Sequence, residues 1–231
     1  MALYAFDGTW NDSRAEHRDR TKDTNVHLFR IAYEQQVQDA ALDKATHYVE
    51  GVGNRHGLVG KLFDGAIGSG ITPKIEGHME HLRRNFAAGD TDIDIIGYSR
   101  GSATARIFVN ELVTKFPDIE RDGAPLTGPP PIRFLGLFDT VGSFGVPWTD
   151  NEGRFTRRIP DFVQNTFHAM ALDETRQTFG LERCIGDRRN FTEVWFRGGH
   201  SDIGGNTVYE DDLKNKRPNR DRSNHALYWM L

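Results

Sequence analysis

The sequence predicts an α/β fold in which a mostly parallel central sheet carries helices on both faces, and three observations lead there. Short apolar runs recur at residues 3–6, 45–49, 93–96, 132–138 and 194–196, each the length of a strand. Most stretches between them carry helical patterns, and a helix between two strands is the crossover that parallel pairing requires. The third observation is the pentapeptide Gly97-Tyr98-Ser99-Arg100-Gly101, which follows the run Ile93-Asp94-Ile95-Ile96 and precedes the helix-forming stretch Ser102 to Phe116. Its serine sits where a strand turns sharply into a helix, between glycines that let the two elements approach.

The elements follow in chain order. Leu3 to Phe6 opens the chain as a strand, and Phe6-Asp7-Gly8-Thr9-Trp10-Asn11 is the loop leaving it. Seven glycines between 51 and 70 are too many for a packed element and point to a loop near the site. Within that loop Gly51-Val52-Gly53 and Gly57 approach a dinucleotide fingerprint, but the third glycine falls one residue late and no helix follows at once, so nucleotide binding is not expected. From Ile71 to Phe86 the residues Ile71, Ile75, Met79, Leu82 and Phe86 recur at helical spacing, with Lys74, Glu76, Arg83 and Arg84 elsewhere on the wheel. The helix after Ser99 pairs Ala103, Ile107 and Leu112 with the small residues Ser102, Thr104 and Ala105, which suits close packing on central strands. Pro129-Pro130-Pro131 is a rigid approach to the strand Ile132 to Phe138. Phe167 to Ala171 reads as helical and apolar, Phe191 to Phe196 as a strand, and Glu210 to Arg222, with nine charges in thirteen residues, as a solvated loop. The last apolar pattern, Ala226 to Leu231, reads as a helix.

With 231 residues, 37% hydrophobic and 27% charged, the chain can bury a full core, and one domain spanning 1–231 is expected. Within it, 144–165 is the candidate for a small cap or pocket wall, because Val146, Pro147, Trp148, Phe155 and Ile159 would border a strand-end site. The charge of −4, from 33 acidic and 29 basic residues with no basic stripe, excludes a nucleic-acid partner held mainly through phosphates. Cys184 is the only cysteine, which excludes an internal disulfide and a cysteine-built zinc cluster. No metal or organic cofactor is expected. The N-terminus has no charged leader, and no run reaches the ~18 apolar residues of a membrane span. A cytoplasmic location is the default expectation, with export by a signal-independent secretion system compatible; the oligomeric state is not written in the sequence.

A serine hydroxyl becomes nucleophilic when an imidazole takes its proton, and that imidazole needs a carboxylate to set its tautomer. His200 is the candidate base for Ser99, because Arg197-Gly198-Gly199-His200 is the loop leaving the strand Phe191 to Phe196. His168 is its rival, but its apolar neighbours favour a core or capping role. Asp139 leaves the strand Phe134 to Phe138 in the same way, and the order Ser99, Asp139, His200 is that of the α/β hydrolases. Asp202 competes for the acid role, two residues past the histidine, although a carboxylate so near usually orders its own loop. Asp139 is favoured and Asp202 stays open. An oxyanion hole needs backbone N–H groups, one from Arg100 after the nucleophile and one from Gly8 or Thr9 in the first strand-end loop. Asp7-Gly8-Thr9 also resembles the start of haloacid dehalogenase-type phosphatases, but the place of their nucleophilic aspartate is taken by Ala5.

Phe6-Asp7-Gly8-Thr9-Trp10-Asn11, Thr24-Asn25-Val26, Val49-Glu50-Gly51-Val52-Gly53, Gly97 to Ser102, Phe138 to Ser143, His168 to Glu174 and Gly199 to Gly205 form ordered blocks across nearly the whole chain. Together they resemble the α/β-hydrolase catalytic domain of type VI secretion lipase effectors, family one, and their relatives. The resemblance implies a serine esterase with lipase or phospholipase activity on an ester or lipid substrate, with Ser99 as nucleophile, His200 as base and Asp139 or Asp202 as acid. Those effectors carry further regions for membrane contact or delivery, whereas this sequence stops at Leu231, so membrane attack is not expected; with no amphipathic membrane segment in the sequence, short or medium acyl esters are the expected substrates. The alternative, a non-catalytic hydrolase-like domain binding a lipid or protein, is disfavoured because every catalytic role can be filled.

Overall fold

The computed structural model describes residues 1–8, 23–39, 46–49, 72–142, 158–187, 189–205 and 221–231. In chain order these form β1 (Ala2–Phe6), α1 (Asn25–Asp39), β2 (Thr46–Val49), α2 (Thr72–Ala87), β3 (Ile93–Tyr98) and α3 (Arg100–Lys115). They continue with the small pair β4 (Glu120–Arg121) and β5 (Ala124–Pro125), then β6 (Ile132–Phe138), β7 (Thr166–Ala171), β8 (Phe191–Phe196), the short α4 (His200–Gly204) and a C-terminal helix (Asp221–Met230). Six strands build one sheet in the order β2-β1-β3-β6-β7-β8, every neighbouring pair parallel.

Alternation along the strands assigns the two faces. In β1, Ala2, Tyr4 and Phe6 join the core beneath α2 and α3, while Leu3 and Ala5 join the core beneath α1 and the C-terminal helix. In β3, Ile93 and Ile95 take the first face, Ile96 and Tyr98 the second. Because a strand's side chains point alternately up and down, a central strand buried on both faces must be apolar nearly throughout. Helix α2 follows the expected periodicity, burying Ile75, Met79, Leu82 and Phe86.

One expected element is different. Phe167 to Ala171, read as helical and apolar, lies in β7 (Thr166–Ala171), an interior strand between β6 and β8. Local propensity is a weak prior, and two parallel neighbours offering ladder hydrogen bonds override it. The hairpin β4–β5 and helix α1 carried no signal strong enough to be expected. Thr9, the glycine-rich stretch 51–70, residues 144–157 of the expected cap and 210–220 lie outside the described residues. Of the cap's described part, Ile159 is 2% exposed and belongs to the core beneath α2 and α3.

The consequence for function is positional. Parallel strands deliver all their C-terminal ends to one edge of the sheet, so residues leaving β1, β3, β6, β7 and β8 meet there.

Candidate active site

Ser99 is the single residue between β3 and α3, with φ 59° and ψ −127°. A side-chain-bearing residue reaches that conformation only when its surroundings hold it, here through its N–H to the Phe138 carbonyl (3.0 Å) and its own carbonyl to the Val141 N–H (3.3 Å). The flanking glycines are needed for space. A Cβ on Gly97 would stand 2.7 Å from the Ser102 Cα, and one on Gly101 would stand 2.2 Å from the Phe6 carbonyl oxygen. The elbow is thus wedged against the end of β1, with the Asp7 carbonyl beside it as well.

Asp139, the first residue after β6, also has positive φ, 41°. Its N–H donates to the Ala169 carbonyl at 2.8 Å and its Oδ1 accepts the Ala171 N–H at 2.8 Å, so β7 grips both its backbone and its side chain. His200 begins α4 after the glycine loop that leaves β8. The three side chains meet. His200 Nδ1 lies 2.6 Å from Asp139 Oδ2, and His200 Nε2 lies 2.8 Å from Ser99 Oγ. All three are buried, at 6%, 2% and 3% exposure for Ser99, Asp139 and His200. The carboxylate can only accept, so Nδ1 carries the proton, and Nε2 is left to take the serine's.

Asp202, the other carboxylate open as an acid, faces away from that chain of bonds: its Oδ2 accepts the Gly199 N–H at 2.9 Å, across the first turn of α4. It orders the histidine's loop from within, as a carboxylate near a helix start does. Of the residues expected to supply oxyanion donors, Arg100 carries the first amide of α3, one of the helix-start N–H groups that have no partner within the helix. The Gly8 N–H donates to its neighbour's Asp7 Oδ1 at 2.6 Å, and Asp7 Oδ2 in turn accepts the hydroxyls of Thr24 and Tyr48, each at 2.6 Å.

Several contributing residues were not singled out from the sequence. Glu174 Oε2 accepts the His200 N–H at 3.0 Å, and Asp173 Oδ2 accepts the Gly198 N–H at 2.8 Å. Both leave the end of β7, and reading that strand as a helix hid them. The Arg176 side chain beside Glu174 is the largest influence on its carboxyl, which is held down at about 2. The same guanidinium lies 3.8 Å from the centroid of the Phe179 ring, which packs on His200 at 4.7 Å, with Tyr98 against the imidazole at 4.9 Å. The imidazole is therefore boxed by aromatic rings and anchored by its own backbone.

Away from these residues, His168, Cys184 and Glu193 place their potential ligand atoms within 4.8 Å of one another. The His168 Nε2 accepts the Thr140 N–H at 3.2 Å, so its Nδ1 carries the ring proton, directed at Glu193 Oε1, 3.1 Å away. A protonated nitrogen has no lone pair for a cation, and the cluster as bonded is a hydrogen-bond chain rather than a metal centre.

A parallel sheet covered on both faces, with a serine on a strained strand-to-helix turn and an imidazole and a carboxylate arriving from later strand ends, defines an α/β hydrolase. The family model for the catalytic domain of T6SS Tle1-like phospholipase effectors matches residues 3–125 and 120–231, and the chain belongs to that family. Among solved structures, an uncharacterised protein of Pseudomonas aeruginosa is similar at 21% identity with a TM-score of 0.63, over 99% of this chain and 45% of that one. The chain thus spans less than half the length of that protein. A protein assigned as a YdeN-like hydrolase of Pectobacterium atrosepticum is similar at 12% identity and TM-score 0.42, over 97% of this chain and 91% of that one. One assigned to the α/β hydrolase superfamily, from Xanthomonas campestris pv. campestris, is similar at 12% identity and TM-score 0.39, over 99% and 96%. No curated protein matches the chain in sequence. No described helix is long and apolar enough to cross a membrane.

Proposed function

We propose that this chain is a serine hydrolase that cleaves carboxylic esters of lipids through an acyl-enzyme on Ser99. The observation that carries the reading is the unbroken series of hydrogen bonds from Asp139 through His200 to Ser99, at 2.6 and 2.8 Å. Ser99 Oγ attacks the acyl carbonyl while its proton passes to His200 Nε2, and the imidazolium is stabilised by the Asp139 carboxylate. The carbonyl oxygen takes the negative charge and is met by backbone amides, the Arg100 N–H and, because the Gly8 N–H already donates to Asp7 Oδ1, that of Thr9. Collapse of this intermediate breaks the ester C–O bond, and the proton on Nε2 leaves with the alcohol. Water then repeats the sequence on the acyl-enzyme, giving the free acid and the original hydroxyl.

Membership of a phospholipase effector family supports glycerophospholipids as the physiological ester, and delivery by a type VI secretion machine as the route to it. The chemistry needs no metal.

Labelling with a fluorophosphonate probe, alongside hydrolysis of nitrophenyl esters and phosphatidyl lipids, tests the reading. The wild type is expected to be labelled at one residue, and Ser99→Ala to lose labelling and about 10⁶-fold in kcat, as removal of an activated serine does elsewhere. Absence of labelling in the wild type, with ester turnover that Ser99→Ala leaves unchanged from background, would end this reading in favour of a binding domain, whereas full labelling and turnover in Ser99→Ala would move the nucleophile away from Ser99.

A further inference from the structure

The acid of the proposed mechanism stands in a conformation that its own side chain disfavours. At φ 41° Asp139 lies in the left-handed region, which crowds the Cβ of an L-residue against the following carbonyl oxygen. The Asp139 N–H to the Ala169 carbonyl is the last bond of the β6–β7 ladder, and the next amide, Thr140 N–H, takes no backbone acceptor. Thr140 is fully buried, so its amide needs an acceptor inside the protein. The acceptor is a side chain: His168 Nε2, at 3.2 Å, with the Thr140 hydroxyl at 3.1 Å from the same nitrogen.

An imidazole can accept there only if it is neutral and carries its proton on the other nitrogen. Two features impose that state. His168 is fully buried, which favours the uncharged ring. Its Nδ1 faces Glu193 Oε1 at 3.1 Å, and Glu193 is held ionised by further donors, the Cys184 N–H at 2.8 Å and the Arg183 side chain at 2.7 and 3.0 Å. The segment carrying these donors is itself fastened, since the buried Arg106 of α3 donates to the carbonyls of Glu182 and Arg183, at 2.8 and 3.3 Å. The Glu182 N–H donates to the Thr140 carbonyl at 2.9 Å, so the N–H and the carbonyl of Thr140 are both held by the same assembly.

We propose that His168 and Glu193 form a positioning pair for Asp139, in which the carboxylate sets the imidazole's tautomer and the imidazole holds the turn that aims the acid at His200. The inference rests on the serine-hydrolase reading above. Neither residue touches the reacting atoms; they act through the Asp139–Thr140 turn.

The test uses purified full chain, a fluorophosphonate to count active sites, and a soluble nitrophenyl ester. His168→Phe keeps the ring's bulk and removes the acceptor; kcat per labelled site should fall about ten- to a hundred-fold, as misplacement of a catalytic group does, with KM within about twofold. His168→Gln, whose amide oxygen can reach the Nε2 position, should recover most of the loss. Glu193→Gln, which keeps the side chain's shape but removes the charge that sets the tautomer at Nδ1, should lower kcat per labelled site as well. Melting temperatures that drop while kcat per labelled site stays at the wild-type value in both His168→Phe and Glu193→Gln would overturn the proposal and leave a purely structural pair. Loss of a stoichiometric bound metal in Cys184→Ala would overturn it too, since Nδ1 cannot both ligate and donate. Absence of labelling in the wild type would remove the underlying serine-hydrolase reading, and this inference with it.

Discussion

His200 and His168 are both buried imidazoles with a carboxylate at Nδ1, Asp139 at 2.6 Å and Glu193 at 3.1 Å, yet they face different partners through Nε2. His200, beyond the end of β8, meets a hydroxyl whose proton it can take. His168, in the middle of β7, meets a backbone amide whose proton it cannot. The same side-chain pair therefore makes a proton acceptor at a strand end and a structural strut within a strand. Placement, not residue type, separates the two outcomes. At the sheet edge the chain leaves the ladder and free side chains converge, whereas inside the sheet the backbone's own donors must be satisfied first.

The largest effect that could break this comparison falls on its carboxylates. Asp139→Asn should lower kcat by about 10⁴-fold, because the amide favours the wrong tautomer of His200. Asp202→Asn, whose oxygen can still cap the Gly199 N–H, should cost less than about tenfold. Steady-state kinetics on both variants check this, and the opposite ranking would reassign the acid.

A smaller effect appears in stability against pH. His168 and His78 are 0% and 2% exposed, and burial lowers both, His78 to about 3 from an ordinary value of 6.5. Below pH 6.5 the unfolded chain binds protons that the folded chain refuses, so stability should fall as the pH drops, by up to about 1.4 kcal/mol per unit for each ring. Glu193 adds to the loss at lower pH. Burial alone would raise it, but hydrogen bonds from His168, the Cys184 N–H and Arg183 hold it at about 2, so the stability it contributes disappears as pH falls from 4.5 toward that value. Urea midpoints measured from pH 7 to 5 should show the slope, and His78→Leu should flatten it by about one proton. A flat profile in the wild type would mean that these imidazoles are charged or solvated when folded.

Much of the architecture was legible because it depends on local pattern. The apolar runs marked β1, β2, β3, β6 and β8, and glycines spaced around Ser99 marked the turn between β3 and α3. His200 and Asp139 were legible for the same reason, each being the first chemistry-bearing residue of its type after a strand. What escaped was β7, since Ala169, Met170 and Ala171 suit a helix as well as a buried strand. With it went Asp173 and Glu174, whose roles depend on leaving a strand beside His200.

By itself the sequence determined the fold class, the elbow serine and the short set of candidates for its partners, because strand length, helical period and glycine spacing are properties of neighbours along the chain. Only the tertiary structure decided which carboxylate meets the imidazole. Asp139 lies 61 residues from His200 and Asp202 only two, yet the nearer one bends back to its own loop while the distant one reaches Nδ1. Parallel pairing of β6, β7 and β8 brings the distant residues to one sheet edge, and no local pattern records which side chains will meet there.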